Sequence, residues 1–147
     1  MYHRRTVTRR HGLNLVERAV LVAKWRSDKV SAGIHALIGG DGLRLVNEAG
    51  RVMYVVLGAA AAQGLSHDHP DLRILRGAVN ALHEQAEVAE VDEQRRSSIV
   101  SGLQACDRLL SELTQRALSD AALDLEIRLK LGDVRYSDFQ RLAGAIA

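Results

Sequence analysis

Aromatic side chains are nearly missing from this chain: one Trp, one Phe and three Tyr among 147 residues, 3% of the total. A core must therefore be built from Leu, Val, Ile and Ala. Cysteine is rarer still. The single Cys106 excludes a disulfide within the chain and a cysteine-rich zinc cluster, and it fits a reducing compartment, so the expected location is the cytoplasm. Proline occurs once, at Pro70, which leaves long stretches free to form uninterrupted helix. Long apolar runs are also lacking: the longest, VMYVVLGAAAA at 52–62, falls short of the ~20 residues that cross a bilayer. It reads as a core helix, and no membrane association is expected. Glu17, Arg18 and Lys24 interrupt the region where a signal peptide would be purely apolar, so secretion by that route is not expected.

What is present is the composition of a soluble globular protein, with 47% hydrophobic and 26% charged residues, at the length of one ordinary domain. The net charge of +2 conceals a polarity. Residues 1–30 carry eight basic side chains against Glu17 and Asp28, whereas residues 31–147 carry twelve basic against sixteen acidic. The extreme start, MYHRRTVTRRH, has four arginines and two histidines and no acid. We read residues 1–12 as a basic arm and residues 13–147 as the folded domain.

Apolar residues recur at steps of three and four almost throughout, which predicts an all-α single-domain bundle of five or six helices. The first spans about Asn14 to Ile38, with Asn14 and Glu17 spaced as a capping box. Its apolar positions, Leu15, Val16, Ala19, Val22, Ala23, Val30, Ile34, Leu37 and Ile38, are expected in the core, with RSDK at 26–29 as a break in the stripe. GGDG at 39–42 should turn the chain, with Asp41 capping a second, buried helix over about 43–63. Gly50 and Gly58 inside that helix predict close approach of another backbone.

GLSHDHPD at 64–71 is a turn, and Pro70 suits the first turn of the next helix. Leu72, Leu75, Val79, Leu82, Ala86 and Ala89 form one seam, and Ile99, Leu103, Cys106, Leu110, Leu113 and Ala117 a second. A hairpin turning near 91–94 with Asp92 as cap is favoured, one long bent helix over 70–117 being the alternative. Ser119 with Asp120 should start a short helix ending at Gly132, and Ser137 with Asp138 a last one through Ala145.

Candidate chemistry is sparse. His67, Asp68, His69 and Asp71 are competent metal ligands, but they are also the residues that turns and caps require, so no metal or other cofactor is expected. In HEQAE at 83–87 the i,i+4 pair His83 and Glu87 lacks the second histidine of a zinc-protease helix, and His83 is expected at the core boundary bonded to a carboxylate. Cys106 on an apolar seam is expected to be a buried, unreactive thiol. No phosphate loop or triad order is visible, so no enzymatic activity is expected.

Two charged clusters remain. Arg4, Arg5, Arg9 and Arg10, extended by Lys24, Trp25, Arg26 and Lys29, form a candidate surface for nucleic acid or a protein partner. Glu84, Glu87, Glu90, Asp92 and Glu93 form an acidic patch, either a solvated helix face or a receptor for a basic partner such as the arm of a second copy. A groove-reading helix is unconvincing, because GGDGLRLVNEAGRVM offers Arg44 and Arg51 among core residues and opposes Glu48 to phosphate.

Three stretches, YHRRTVTRR, LRLVNEAGRVMYVVLG and ALHEQ, resemble a group of small helical proteins of uncharacterised role from proteobacterial prophages and plasmids. The resemblance implies a mobile-element origin and an accessory or host-interaction role, and it supplies no active site. The expectation is a non-enzymatic protein that binds a protein partner, including itself as a homodimer, and that modulates or inhibits a host complex. The alternative is a small DNA-binding regulator gripping phosphates with its arm.

Overall fold

The fold is that of a computed structural model, which describes residues 12–38, 42–86, 88, 90–132 and 134–145. Among them are six α-helices and no strand: α1 (Leu15–Ile38), α2 (Gly42–Gln63), α3 (Pro70–Gln85), α4 (Glu93–Leu109), α5 (Gln115–Leu131) and α6 (Tyr136–Ala145), with one turn of 3₁₀ helix at Leu110–Glu112. The chain is a single all-α domain.

Helix starts follow the side chains that can satisfy free backbone N–H groups. At α1 the capping box is complete: the Glu17 amide donates to Asn14 Oδ1 at 2.8 Å, and the Asn14 amide to Glu17 Oε1 at 2.8 Å. Asp92 caps α4 by accepting from the Gln94 amide, and Pro70 opens α3 behind an N-cap His69. Gly64 closes α2 at φ +71°, where its amide and that of Leu65 reach back to the Ala61 and Ala60 carbonyls, a Schellman ending that favours glycine. Asp41 and most of the GGDG turn lie outside the described residues, as does Ala89.

Residues 70–109 form a hairpin of α3 and α4, not one long helix. It turns earlier than its apolar seam suggests. The buried Gln85 side chain donates from Nε2 to the Val88 and Glu90 carbonyls at 3.0 and 2.7 Å, drawing the chain out of the helix, so that Ala86 is exposed instead of core. The second seam is also broken: α4 ends at Leu109, and Thr114, not Ser119, caps α5 through the Ala117 amide. Gln63 fixes this corner from α2, accepting from the Thr114 amide at 2.7 Å and donating to the Glu112 carbonyl at 2.8 Å. Ser119 is fully buried one turn inside the helix, its hydroxyl donating back to the Gln115 carbonyl.

Helix α2 is the axis of the bundle and packs against all five other helices. Its residues Val52 to Leu57 are buried in succession, so at this level it has no solvent face. Among the described residues it is the one helix long and apolar enough to span a bilayer by length and composition, and more than half of that window is buried inside the fold.

Small residues set how closely the helices approach. A Cβ on Gly58 would lie 3.2 Å from the Ala121 methyl, which ties α2 to α5. Gly50 does not serve this purpose, since a Cβ there would make only an ordinary 3.8 Å contact with Phe139. The tightest site is Gly102 of α4, where an added Cβ would overlap the Ala78 methyl of α3 and lie 2.9 Å from Met53 Cε. Gly102→Ala should therefore destabilise the protein by about 1–3 kcal/mol through overpacking. Gly77→Ala on the same hairpin, with open space around it, should instead stabilise by about 0.5–1 kcal/mol from helix propensity. Urea unfolding of the two variants checks both signs.

Candidate functional site: the outer face of the first helix

Helix α1 has two apolar faces, and only one of them packs against the domain. The inner face buries Val22, Trp25, Ala32 and Ala36. Trp25 is 4% exposed and its indole Nε1 donates to the Val52 carbonyl at 3.3 Å. Around this seam, polar pairs clamp α1 to its neighbours. Arg18 donates to Asp120 at 2.8 Å and to the Ser119 hydroxyl, Lys24 pairs with Glu126 at 2.8 Å, and Lys29 pairs with Asp107. His35 pairs with Glu48, which also accepts from the Ser31 hydroxyl.

The opposite face carries Val16, Val20, Ala23, Ser27, Val30, Ile34 and Leu37. Their spacing of 4, 3, 4, 3, 4 and 3 is a heptad seam sustained over three heptads, and all seven are exposed. The core assignment of Leu15, Val16, Ala19, Ala23, Val30, Ile34, Leu37 and Ile38 is thus corrected. The large side chains among them are 50–79% exposed, because Trp25 and the clamp residues fix the rotation of α1 and turn this stripe to solvent. Leu43, at the start of α2, is 62% exposed. The stripe was missed as a surface because periodicity reports that a face is apolar and is silent on what covers it.

The predicted cationic surface is reduced accordingly. Trp25 is corrected from a contact residue to a core residue. Lys24 and Lys29 are spent on Glu126 and Asp107, and Arg44 lies 3.7 Å from Glu48. Arg26 is exposed and has no hydrogen bond or ion pair among the described residues. Arg4, Arg5, Arg9 and Arg10 lie outside the described residues.

The acidic patch is laced with cations from the next turn of chain. Arg95 lies 3.8 Å from Glu84 and 4.0 Å from Asp92, and Arg96 lies 3.3 Å from Glu93. Glu90 is exposed, and Glu87 lies outside the described residues.

Of the remaining candidates, His67 is exposed, with its carbonyl accepting from Arg76, and Asp68, His69, Asp71, His83 and Cys106 are engaged internally. Both ring nitrogens of His69 are used, Nδ1 accepting from the Asp71 amide and Nε2 meeting Glu112 at 2.7 Å. His83 stacks its ring on Tyr136 with centroids 3.9 Å apart, where a carboxylate partner was expected. Cys106 is fully buried, and desolvation pushes its thiol far above the ordinary range, so it stays protonated. The buried Tyr54 hydroxyl donates to Asp124 at 2.5 Å and receives Arg141 at 3.3 Å; burial and the adjacent carboxylate raise its pKa.

The two faces of α1 make opposite demands on neighbouring side chains. Trp25→Ala should lower stability by about 3–5 kcal/mol, whereas Arg26→Ala should stay within about 0.5 kcal/mol of the parent; chemical denaturation read by circular dichroism compares them. Against known proteins, the chain matches no family model, no curated protein and no solved structure.

Proposed function

We propose that this protein is a non-enzymatic interaction protein that works as an antiparallel homodimer joined through the outer stripe of α1. One observation carries the reading: the stripe is its own complement when reversed. About the level of Trp25, Val16 stands opposite Ile34, Val20 opposite Val30, and Ala23 opposite Ser27. A two-fold axis at that level would place each residue of one copy against its counterpart in the other, as an isologous interface requires. The small pair Ala23 and Ser27 falls at the crossing, where two helices approach most closely, and the bulkier pairs fall towards the ends. Antiparallel alignment also sets the helix dipoles in their favourable sense.

The extent of the patch supports an interface. Eight large aliphatic side chains along α1 and the start of α2 are 50–79% exposed, and clustered exposed apolar side chains mark interaction surfaces.

Charge gives the reading a signature. Lys24 is held by Glu126, but Arg26 flanks the axis in both copies and would meet its equivalent there. Salt screens that repulsion and leaves aliphatic burial intact, so the dimer should hold or tighten as ionic strength rises. The competing reading, a DNA-binding regulator, has the opposite dependence. With Lys24, Lys29 and Arg44 engaged internally, it rests on Arg26 and the arm.

Sedimentation at rising salt should give a species of twice the 16.1 kDa chain mass, and Ile34→Lys should convert it to monomer without unfolding. In a Cys106→Ser background, Val20→Cys and Val30→Cys chains mixed under oxidation should cross-link to each other, and neither to itself. A monomer at all concentrations overturns the reading, and self-linking of Val20→Cys overturns the antiparallel alignment.

A further inference from the structure

A cavity of about 130 Å³ opens between α2, α3, the C-terminal end of α5 and the start of α6. Its floor is apolar, made by Val79 and Leu82 of α3 and Phe139 of α6, and its rim carries Asn47 and Arg51 of α2 and His83 of α3. We infer that this cavity is a binding site for a small amphipathic carboxylate, with a single ring or branched aliphatic body on the floor and the carboxylate at Arg51 and Asn47.

The polar rim is unspent. Arg51 and Asn47 stand four residues apart on α2, on one face of the helix. Neither side chain makes a hydrogen bond or ion pair among the described residues, whereas Arg18, Arg108 and Arg128 each hold a carboxylate. Burial raises the pKa of Asp28 of α1, and the nearby charges of Lys24 and Arg51 oppose that rise without an ion pair between Asp28 and Arg51. A guanidinium beside an amide offers several N–H donors and matches the planar, two-oxygen geometry of a carboxylate.

The walls are preformed. Tyr136 is held on both sides, stacked at 3.9 Å on His83 and donating from its hydroxyl to Asn80 Oδ1 at 2.6 Å. Phe139 is fixed edge-on against Tyr54, with centroids 5.6 Å apart. Gly50 keeps the space open, since even its Cβ would come to 3.8 Å from Phe139 and a longer side chain would occupy the cavity. Its volume is close to the ~150 Å³ of an apolar protein cavity that admits benzene. That sets the ligand body at about one ring, as expected of a concave apolar site with a few convergent polar groups.

Phenylacetate is the probe, with benzyl alcohol lacking the charge and acetate lacking the body. Titration into the full chain at millimolar concentrations, followed by NMR of the Tyr136 and His83 ring protons, should give a saturable shift with phenylacetate and none with acetate. Arg51→Met should weaken phenylacetate by about tenfold, the contribution of a charge-assisted contact, and leave the weaker benzyl alcohol binding unchanged. Gly50→Leu should abolish binding of both; should that variant fail to fold, Ala86→Leu at the cavity edge replaces it. Absence of a saturable phenylacetate shift, or an affinity indifferent to Arg51→Met, overturns the inference. Neither result bears on the α1 dimer, which is read by sedimentation.

Discussion

Between Val52 and Leu57, helix α2 offers no side to water, and the other five helices take their places by covering it. With only five aromatic residues in the chain, the volume around α2 is filled by aliphatic side chains and by bringing backbones together at Gly58 and Gly102. Close-packed interiors of this kind tolerate little change in volume. The bundle is consequently most specified where its residues are smallest, and the hairpin of α3 and α4 is aligned through the missing Cβ of Gly102 as much as through its Leu and Ile side chains.

Much of this was legible in the sequence because it depends on local chemistry. Asn14 with Glu17, Asp92 and Pro70 mark helix starts through donors and dihedrals that lie within a few residues. The burial of α2 followed from an apolar run bounded by glycines. Errors arose where a distant side chain decided the outcome. Thr114 and Ser119 are both competent caps, and the choice between them is made by Gln63, some fifty residues earlier, which holds the corner from both its amide atoms. The early end of α3 depends on Gln85 folding back onto the carbonyls that follow it, a contact with no pattern in hydrophobic periodicity.

The candidate surfaces were legible to a lesser degree, for a different reason. A stripe of aliphatic residues at three- and four-residue steps looks the same whether the parent domain or another chain covers it. In α1 the decision falls to Trp25, whose size and indole hydrogen bond outrank several valines in setting helix rotation. The cavity rim was invisible as a group, because Asn47 and Arg51, His83 and Tyr136 come from three separated helices and none belongs to a recognisable motif. The cationic cluster suffered the converse error. Lys24, Trp25, Arg26 and Lys29 are adjacent in sequence, yet a helix distributes them over different faces, and only Arg26 remains exposed and unengaged.

How firmly α1 is held bears on what its outer face does. Only four of its 24 residues are buried, against eleven of the 22 in α2. Three of its ion pairs face solvent through at least one partner: Lys24 and Glu126 are 58% and 32% exposed, and Asp107 and Asp120 are about half exposed. Pairs of this type contribute at most about 1 kcal/mol each, so Trp25 and its aliphatic neighbours provide most of the attachment. A helix anchored on one narrow seam while its other seam is apolar gains stability from any contact that covers the second. By mass action, a second copy that binds only the folded chain would stabilise it by an amount that grows with the logarithm of its concentration over Kd. Folding and association would then be linked at the same helix, with the inner seam setting its orientation and the outer seam completing its burial.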